Sequence, residues 1–334
     1  MSIKIIKPGL LTSVQDLGRH GYQKYGVIAS GVMDPLACRI TNLLVGNDEG
    51  AAVLETTLLG PKIEFQEDAL IALGGGDMSP SINGEAVQSY RSVWVKKGSV
   101  LQFGPSQSGC RVYLAVAGGV DVPRVMDSYS TYLRAEIGGF QGRALKKEDV
   151  LPTGSLSDFS VKLMKYLQEQ SNGETFREMG WGISSELLPE IKKNPTIRTL
   201  RGRQFEWFTN ESREKLFSEA FEVTTQSDRM GYRLKGPKLS LTEPKELLSE
   251  AVTFGTIQVP SEGNPIVLLA DRQTTGGYPK IGQVASVDLP VMAQVKPGEK
   301  VSFKEIGHEE AQRLYLENER NMQRLKLGLD LKSR

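Results

Sequence analysis

Residues 266–270 read Ile-Val-Leu-Leu-Ala, and residues 271–282 continue Asp-Arg-Gln-Thr-Thr-Gly-Gly-Tyr-Pro-Lys-Ile-Gly. The apolar run has the composition of a buried strand. The loop after it gathers an acid, a guanidinium, an amide, two hydroxyls, a phenol and an ammonium around Gly276 and Gly277. Paired glycines let the backbone approach a ligand closely, and Pro279 stiffens the end of the loop. A strand that ends in such a loop predicts a functional site.

The same strand has a counterpart earlier in the chain. Residues 70–73 (Leu-Ile-Ala-Leu) match residues 266–269 at an offset of 196 (266 minus 70). Three further matches follow the same order at nearly the same offset: residues 30–33 with 227–230, Glu55 with Glu250, and residues 95–98 with 295–298. Four ordered matches predict a tandem duplication of one β-rich fold. In this alignment the polar loop corresponds to a glycine-rich stretch, Gly-Gly-Gly-Asp at residues 74–77.

Short strands separated by turns dominate residues 53–116, which favours a barrel or sandwich over a parallel α/β sheet. One helix is predicted before them. Asp34 suits its N-cap, Pro35 its first position, and Gly46 its end. In the second copy this helix is expected to be shortened or altered. The last residues, from 307 to 334, are predicted to form a helical tail.

The composition excludes several classes of function. The chain has 334 residues, of which 41 are Lys or Arg and 40 are Asp or Glu. Nucleic acids and anionic membranes select a basic excess, so neither is the expected partner. No apolar stretch has the length of a membrane span, and the first residues lack a signal-peptide core. The expected location is the cytoplasm.

Cysteine and histidine are scarce. The two cysteines, Cys38 and Cys110, and the two histidines, His20 and His308, lie far apart in the sequence. A disulfide framework or a metal centre is therefore not expected. Proton transfer falls to carboxylates, lysine, tyrosine or water. Neither a P-loop nor a Gly-x-Ser-x-Gly segment is present, and no Met-Lys-Met-like segment suggests an attached biotin.

Two further polar loops compete with the first. Residues 15–22 contain Asp16, a candidate base, and Arg19, a candidate anion clamp. A loop fixed by a contact between these two side chains is an equal alternative. Residues 227–233 contain Arg229 and Arg233, and arginine binds carboxylates and phosphates through two parallel hydrogen bonds. An anionic substrate is therefore predicted.

Five motifs together resemble one known family. They are Pro-Gly-Leu-Leu-Thr-Ser-Val-Gln-Asp-Leu-Gly-Arg at residues 8–19, Ser-Gly-Val-Met-Asp-Pro-Leu-Ala at 30–37, Ala-Val-Ala-Gly-Gly at 115–119, Ser-Asp-Arg-Met-Gly-Tyr at 227–232 and Pro-Lys-Ile-Gly at 279–282. The chain resembles the biotin-dependent carboxyltransferase family, also called allophanate hydrolase subunit 2-like. The resemblance extends from about residue 7 to residue 303.

The resemblance implies a mainly β fold with a few helices, built from two cyclophilin-like β-barrels. The expected domains are residues 1–193 with appended helices, 194–306, and the tail 307–334. It also implies a role as one chain of an ATP-dependent 5-oxoprolinase, with a KipI-like B subunit and an A subunit as partners. ATP would be shared with these partners, and no biotin would be attached to this chain.

Two other functions stay open. The chain is expected to bind and antagonise the KipI-like inhibitor of a sporulation histidine kinase, and this regulatory role is one alternative to catalysis. A biotin-dependent carboxyltransferase module acting on urea or a similar amide is the other.

Residue type and motif position assign the expected roles. The predicted catalytic residues are Asp271, Arg272, Lys280 and Asp16. The predicted substrate-binding residues are Arg229, Arg233, Gln273, Thr274, Thr275, Gly276, Gly277, Tyr278, Gln15, Ser30 and Asp34. Arginine and lysine would hold the carboxylate and phosphate groups, and a carboxylate would orient them or act as a base.

Overall fold

A computed structural model describes residues 1–332 and divides the chain into two compact units. The first unit contains Met1–Arg19, Asp34–Leu188 and the residues from Arg320 onward. The second contains His20–Met33 and Pro189–Glu319. Ser333 and Arg334, the end of the predicted tail, lie outside the described residues.

The first unit is built on two antiparallel sheets that enclose one apolar core. One sheet runs through Val150–Pro152, Ser2–Lys7, Lys62–Phe65, Val100–Gln102, Ser81–Ile82 and Glu85–Ala86. The other runs through Phe176–Glu178, Val93–Val95, Ala69–Asp77, Ser108–Val116, Val53–Thr57 and Leu11–Gln15. Alternation along Ser2–Lys7 buries Ile3 and Ile5, which lie opposite Phe65 and Ile63 in the register.

Two helices pack on the first unit, Pro35–Leu44 and Asp158–Glu169. The predicted start of the first helix is confirmed, because Asp34 Oδ1 accepts a hydrogen bond from the Ala37 amide at 2.9 Å and Pro35 follows it. Ser157 caps the second helix in the same way through the Ser160 amide. Short 3-10 turns cover Gln23–Tyr25, Ser185–Leu187, Phe205–Trp207 and Ser286–Asp288 along the chain.

The second unit is a closed barrel of seven strands. Around the barrel these are Thr196–Arg201, Lys280–Val284, Thr256–Gln258, Ile266–Leu268, Gly231–Lys235, Ala220–Val223 and Lys300–Glu305. Lys300–Glu305 closes it by pairing parallel to Thr196–Arg201, whereas the other pairs are antiparallel. Two helices, Asn210–Ser218 and Leu289–Ala293, accompany the barrel, and Glu250–Ala251 pairs with Thr275–Gly276 as a separate two-stranded ribbon.

The mainly β fold with a few helices is confirmed. The strands of the first unit form two sheets over one core, whereas those of the second close into the barrel. This difference depends on which distant strands pair, and a local pattern carries little information about such pairing. The C-terminal helix covers His308–Lys332, and Met322 and Leu329 are its buried residues. No helix in the described part of the chain combines the length and apolar content needed to cross a membrane.

Two of the four internal sequence matches adopt the same local structure. Ala69–Asp77 and Ile266–Leu268 each have a hydrogen-bonded neighbour on both sides. Gly98 and Gly298 both have positive φ, 80° and 87°, in turns closed by the hydrogen bonds Ser99 N to Lys96 O and Glu299 N to Lys296 O. The stretches around residues 30–33 and 227–230 differ, because the first leads into a helix and the second into a strand.

The units differ from the predicted domain ranges in three places. Residues 20–33 belong with the second unit, because Met33 is part of its core. Near the middle of the chain, the boundary between the two units lies after residue 188 rather than after residue 193. A further boundary lies within the C-terminal helix, between residues 319 and 320.

Candidate functional site

The polar loop identified in the sequence belongs to the second unit. It leaves the barrel at the end of Ile266–Leu268, pairs through Thr275–Gly276 with Glu250–Ala251, and re-enters the barrel as Lys280–Val284. A further hydrogen bond joins the Val252 amide to the Thr274 carbonyl at 3.1 Å. The barrel therefore fixes both ends of the loop, and the ribbon fixes its middle.

A buried ion pair anchors the start of the loop. Arg229 Nε lies 2.9 Å from Asp271 Oδ2, and Arg229 Nη2 lies 3.1 Å from Asp271 Oδ1. Nη2 also donates to the Gly31 carbonyl, and both side chains are almost fully buried. Two parallel bonds of this kind hold a fixed geometry. The geometry favours a positioning role for Arg229 and Asp271, whose substrate-binding and catalytic roles stay predictions.

Arg272 lies at the start of the loop, and N–H groups of its guanidinium are available to bind a ligand. Its Nη1 donates to the Leu269 carbonyl at 3.3 Å, and its guanidinium carbon lies 5.6 Å from the centroid of the Phe254 ring. Partial burial lowers the pKa of Arg272, and the nearby Asp271 carboxylate opposes this shift. Within residues 1–332 Arg272 forms no ion pair. A desolvated guanidinium of this kind is suited to an anionic group.

Lys280 lies at the other end of the loop. Its ammonium is 3.2 Å from Glu250 Oε2, and its backbone amide donates to Gln204 Oε1 at the same distance. Only 9% of the lysine side chain is exposed, so the charge is held close to the barrel wall. The hydrogen bond from Lys280 lowers the pKa of Glu250, and Arg203 and Gln204 add to this effect. The pair holds the ammonium in place, and the predicted catalytic role of Lys280 stays a prediction.

Gln258 lies beside Lys280. The two residues are opposite each other in the register between Thr256–Gln258 and Lys280–Val284. Gln258 is 3% exposed, and its Oε1 accepts no hydrogen bond from residues 1–332. Gly276 covers it, since a Cβ at Gly276 would stand 3.0 Å from Gln258 Oε1 and 3.4 Å from Gln273 Nε2. The sequence did not predict Gln258, Glu250 or Gln204, because each lies outside the loop.

The other predicted residues of the loop are less enclosed. Gln273, Thr275 and Tyr278 are exposed, Thr274 and Gly277 are half-buried, and Gly276 is buried. Arg233 is exposed on the outside of the barrel, because its neighbours Tyr232 and Leu234 point into the core. The structure therefore places Arg272 and Lys280 on the loop and Arg233 on a barrel strand, and the predicted binding role of Arg233 stays a prediction.

Asp16, in the first unit, is saturated by donors. Its carboxylate accepts hydrogen bonds from the Ser128 hydroxyl at 2.7 Å, the Tyr129 amide at 2.6 Å, the Gly18 amide at 2.8 Å and the Ser130 hydroxyl. It is 5% exposed. A carboxylate with this many donors is suited to holding a loop in place, whereas the contact between Asp16 and Arg19 and the role of Asp16 as a base both stay predictions.

The neighbours of Asp16 tie the same loop to the segment after residue 124. Arg19 donates from Nε to the Val125 carbonyl at 3.0 Å and from Nη2 to the Ser130 carbonyl at 2.8 Å. Gln15 donates to the Thr131 carbonyl at 3.1 Å and to Ser13 Oγ at 3.0 Å. Asp34 caps its helix, and Ser30, at φ 53°, belongs to the second unit. Their predicted contacts with substrate stay predictions.

The first unit also contains a buried relay that the sequence did not indicate. The Tyr113 hydroxyl donates to Glu55 Oε2 at 2.9 Å and accepts from the Asp34 amide at 2.9 Å. Burial raises the pKa of Tyr113 well above its usual range, and the Glu55 carboxylate adds to the effect. The relay connects the start of the Pro35–Leu44 helix to two strands.

Comparison with known proteins decides the family. The family described as carboxyltransferase domain, subdomain A and B, matches residues 25–305. The chain belongs to this carboxyltransferase family. The resemblance drawn from the sequence motifs is thereby confirmed.

Members of the carboxyltransferase family match the chain over nearly its whole length. It is 38% identical over 323 residues to the C subunit of 5-oxoprolinase from Escherichia coli (strain K12), covering 97% of each protein. It is 35% identical over 322 residues to the C subunit of 5-oxoprolinase from Haemophilus influenzae, covering 96% of each. The crystal structure of Kluyveromyces lactis urea carboxylase matches with a TM-score of 0.86 and 29% identity, over 97% of this chain and 29% of that chain.

In this carboxyltransferase-family chain the loop offers two kinds of cation. Arg272 can hold a carboxylate through its fork of donors. Lys280, fixed by Glu250, can stabilise an oxygen that gains negative charge. The arrangement is suited to a small anionic substrate whose reaction develops charge on oxygen.

Proposed function

We propose that this chain is one component of an ATP-dependent 5-oxoprolinase, which opens 5-oxo-L-proline to L-glutamate. The similarity to two proteins named as the C subunit of 5-oxoprolinase, over at least 96% of each, supports this role. One structural observation supports the polar loop as the site of this activity. The loop of the second unit holds Arg272, which forms no ion pair with a carboxylate of residues 1–332, and fixes Lys280 near the wall of the barrel.

The substrate carries a carboxylate and a lactam, and the loop offers one cation for each. Arg272 binds the carboxylate, because its guanidinium is partly desolvated and forms no ion pair within residues 1–332. Lys280 donates to the lactam oxygen, and Glu250 holds its ammonium in place. Asp271 acts through its pair with Arg229, which fixes the strand end that carries Arg272.

The lactam is stabilised by resonance, so water attacks it slowly without assistance. Transfer of the terminal phosphoryl group of ATP to the lactam oxygen supplies the activation. Water then adds to the ring carbon, the ring C–N bond breaks with the nitrogen leaving as the amine, and a second water hydrolyses the resulting acyl phosphate to the carboxylate and inorganic phosphate. Lys280 stabilises the charge on the oxygen during these steps, and Arg272 keeps the ring oriented through its carboxylate.

The proposal includes partners. A KipI-like B subunit and an A subunit complete the enzyme, and ATP is shared with them. No biotin is attached to this chain, and the assembly works in the cytoplasm. The similar proteins are named as subunits, which supports an assembly of more than one chain.

A reconstitution tests the proposal. The purified chain, the two candidate partner proteins, and the three together are followed for glutamate released from 5-oxoproline and for phosphate released from ATP. We expect glutamate only from the complete mixture and only with ATP. Release at the same rate without this chain, or no release from the complete mixture, contradicts the proposal.

A variant separates catalysis from regulation. Lys280→Ala is expected to lower glutamate release by about 10- to 100-fold, because a positioned charge near a developing oxyanion contributes on that order. Partner binding, measured by sedimentation, is expected to remain. Lys300→Ala, an exposed lysine at the start of a barrel strand, is the control. If Lys280→Ala retains full turnover, the loop is not the site.

Partner binding without turnover would favour the regulatory alternative. In that case the chain binds and antagonises the KipI-like inhibitor of a sporulation histidine kinase, as a KipA-like antagonist. Restoration of kinase activity by the purified chain in the presence of the inhibitor measures this role.

The structural match to urea carboxylase supports a second enzymatic candidate, a carboxyltransferase acting on urea or a similar amide. This activity needs free biotin or a biotin carrier chain. Carboxylation of the amide that depends on added carboxybiotin would support it, and turnover of 5-oxoproline in strictly biotin-free conditions would favour the oxoprolinase.

A further inference from the structure

Gln258 is a buried polar side chain on the outer wall of the barrel. Its neighbour Ile257 belongs to the barrel core, so Gln258 points to the opposite face. On that face it stands opposite Lys280 in the register. The register is irregular between Ile257 and Gln258, but Gly276, which lies against Gln258 Oε1, pairs with Glu250, whose Oε2 is 3.2 Å from the Lys280 ammonium. The amide of Gln258 and the ammonium of Lys280 therefore reach the same small volume.

The amide oxygen of Gln258 lacks a donor. Gln258 is 3% exposed, and Oε1 accepts no hydrogen bond from the described part of the chain. Leaving a buried acceptor unpaired costs about 1–3 kcal/mol, so buried amides normally find a partner. Gly276 lies directly against this oxygen, with no side chain to supply a donor. An unpaired buried acceptor beside a proposed catalytic lysine is suited to a donor from a ligand.

The two side chains match one chemical group. A cyclic amide presents its N–H and its carbonyl oxygen on the same side of the ring, because ring closure forces the cis arrangement. Gln258 Oε1 can accept from this N–H while Lys280 Nζ donates to the oxygen. An ester ring of the same shape presents the oxygen but has no N–H, so only the lactam satisfies both side chains.

We infer that Gln258 is a specificity-determining residue, which accepts a hydrogen bond from the ring N–H of a lactam held by Lys280. This inference rests on the proposed function, and it names the ring N–H as the feature of the substrate that Gln258 recognises. Gly276 lies against the amide oxygen, so the inference requires that Thr275–Gly276 shift when the ligand binds while Glu250 stays bonded to Lys280. Two residues pair Thr275–Gly276 with Glu250–Ala251, and one further hydrogen bond joins Val252 to Thr274, so few hydrogen bonds resist this shift.

Equilibrium binding to the assembled complex, without ATP, tests the inference. The probes are 5-oxoproline and the corresponding lactone, in which oxygen replaces the ring N–H. The wild-type complex is expected to bind the lactam about tenfold or more tightly than the lactone. Gln258→Leu is expected to weaken lactam binding to the level of the lactone and to leave lactone binding unchanged.

A matched glutamine provides the control. Gln283 lies on the same strand as Lys280, and its amide is already bonded to Thr253, Thr256 and the Phe254 carbonyl. Gln283→Leu is therefore expected to keep the preference for the lactam. Folding of both variants is checked by thermal unfolding. Gln258→Met, which keeps an unbranched chain of similar length, serves if Gln258→Leu unfolds.

The outcomes separate this inference from the proposed function. A complex that hydrolyses 5-oxoproline while Gln258→Leu keeps the lactam preference overturns the inference and leaves the proposed function standing. A wild-type complex that binds neither probe and releases no glutamate overturns both. Loss of the preference in Gln258→Leu alone supports the inference.

Discussion

The strands Ala69–Asp77 and Ile266–Leu268 begin with similar apolar runs and end differently. The first continues through three glycines and stays paired with Ser108–Val116 as far as Asp77. The second stops at Leu268, and the chain leaves the barrel as the polar loop. In the alignment of the two copies, Ala270 matches Gly74, and Arg272 matches Gly76.

The difference follows from what packs over each strand. A Cβ at Gly74 would stand 2.6 Å from Thr41 Cγ2 of the Pro35–Leu44 helix and 2.9 Å from the Tyr90 ring. Glycine therefore lets the helix lie directly on the sheet. In the second copy the stretch that matches the start of this helix leads into the strand Gly231–Lys235, and the position that matches Gly74 is Ala270, a buried residue of the barrel core. The close packing of the Pro35–Leu44 helix thus explains the glycine of the first copy.

The largest loss of stability is expected from disrupting the Arg229–Asp271 ion pair, which follows the strand Ile266–Leu268 in the second copy. Asp271→Ala removes one partner of this buried ion pair, and breaking such a pair costs about 3–5 kcal/mol in the free energy of unfolding. Urea denaturation of the full chain measures it. Arg233→Ala, at an exposed arginine, is expected to change stability by about 0.5 kcal/mol or less. Equal effects would show that the pair does not anchor the loop.

A smaller loss of stability is expected when Gly74 of the first copy is replaced by alanine, the residue at the matching position 270 of the second copy. Gly74→Ala forces a methyl group against Thr41 and Tyr90 and is expected to destabilise the protein by about 1–3 kcal/mol. Thermal unfolding measures the change. Gly180→Ala is the control, because no atom lies within 4 Å of its Cβ position. Unchanged stability of Gly74→Ala would show that the helix does not dictate the glycine.

The third test concerns the position matched to Gly76. Arg272→Ala is expected to raise KM for 5-oxoproline about tenfold with little change in kcat, because loss of a charge-assisted hydrogen bond weakens binding by about that factor. Steady-state kinetics of the reconstituted complex measure it, with Lys300→Ala, at an exposed lysine, as the control. A lower kcat at unchanged KM would instead assign Arg272 to the transition state.

The smallest effect concerns the pH dependence of the Glu250–Lys280 pair. The folded state lowers the pKa of Glu250 below 4.5, so the pair stabilises the protein above that pH and loses its effect as pH falls through the folded pKa. Wild type should therefore exceed Glu250→Gln in stability at neutral pH and approach it in acid. In a Lys280→Met background the difference should shrink, and a difference that persists there would assign the effect to another partner.

Local sequence was sufficient for some of this structure. The apolar run at residues 266–270 predicted a strand, and Asp34 followed by Pro35 predicted the start of a helix, because both depend on nearest neighbours. The polar loop after that strand was also found from its composition. Arg272 and Lys280 carry chemistry that is visible from residue type alone.

Other features could be identified only from the folded structure. Glu250 and Gln258 come to Lys280 through pairing between strands that are 20 to 30 residues apart, and no short motif records that register. The donors that saturate Asp16 come mainly from residues 128–130, more than 100 positions later. Closure of one unit into a barrel, and not of the other, depends on the same distant pairing.

Residues 20–33 belong to the second unit although they lie within the first copy, and this limits where the chain can be divided into fragments. The chain passes between its two units four times, after residues 19, 33, 188 and 319. A fragment that begins at residue 194 lacks Met33 from its core and the Gly31 carbonyl that accepts from Arg229. Cutting the chain once therefore yields no self-sufficient half, and fusion partners are better joined at the termini than inserted between the copies.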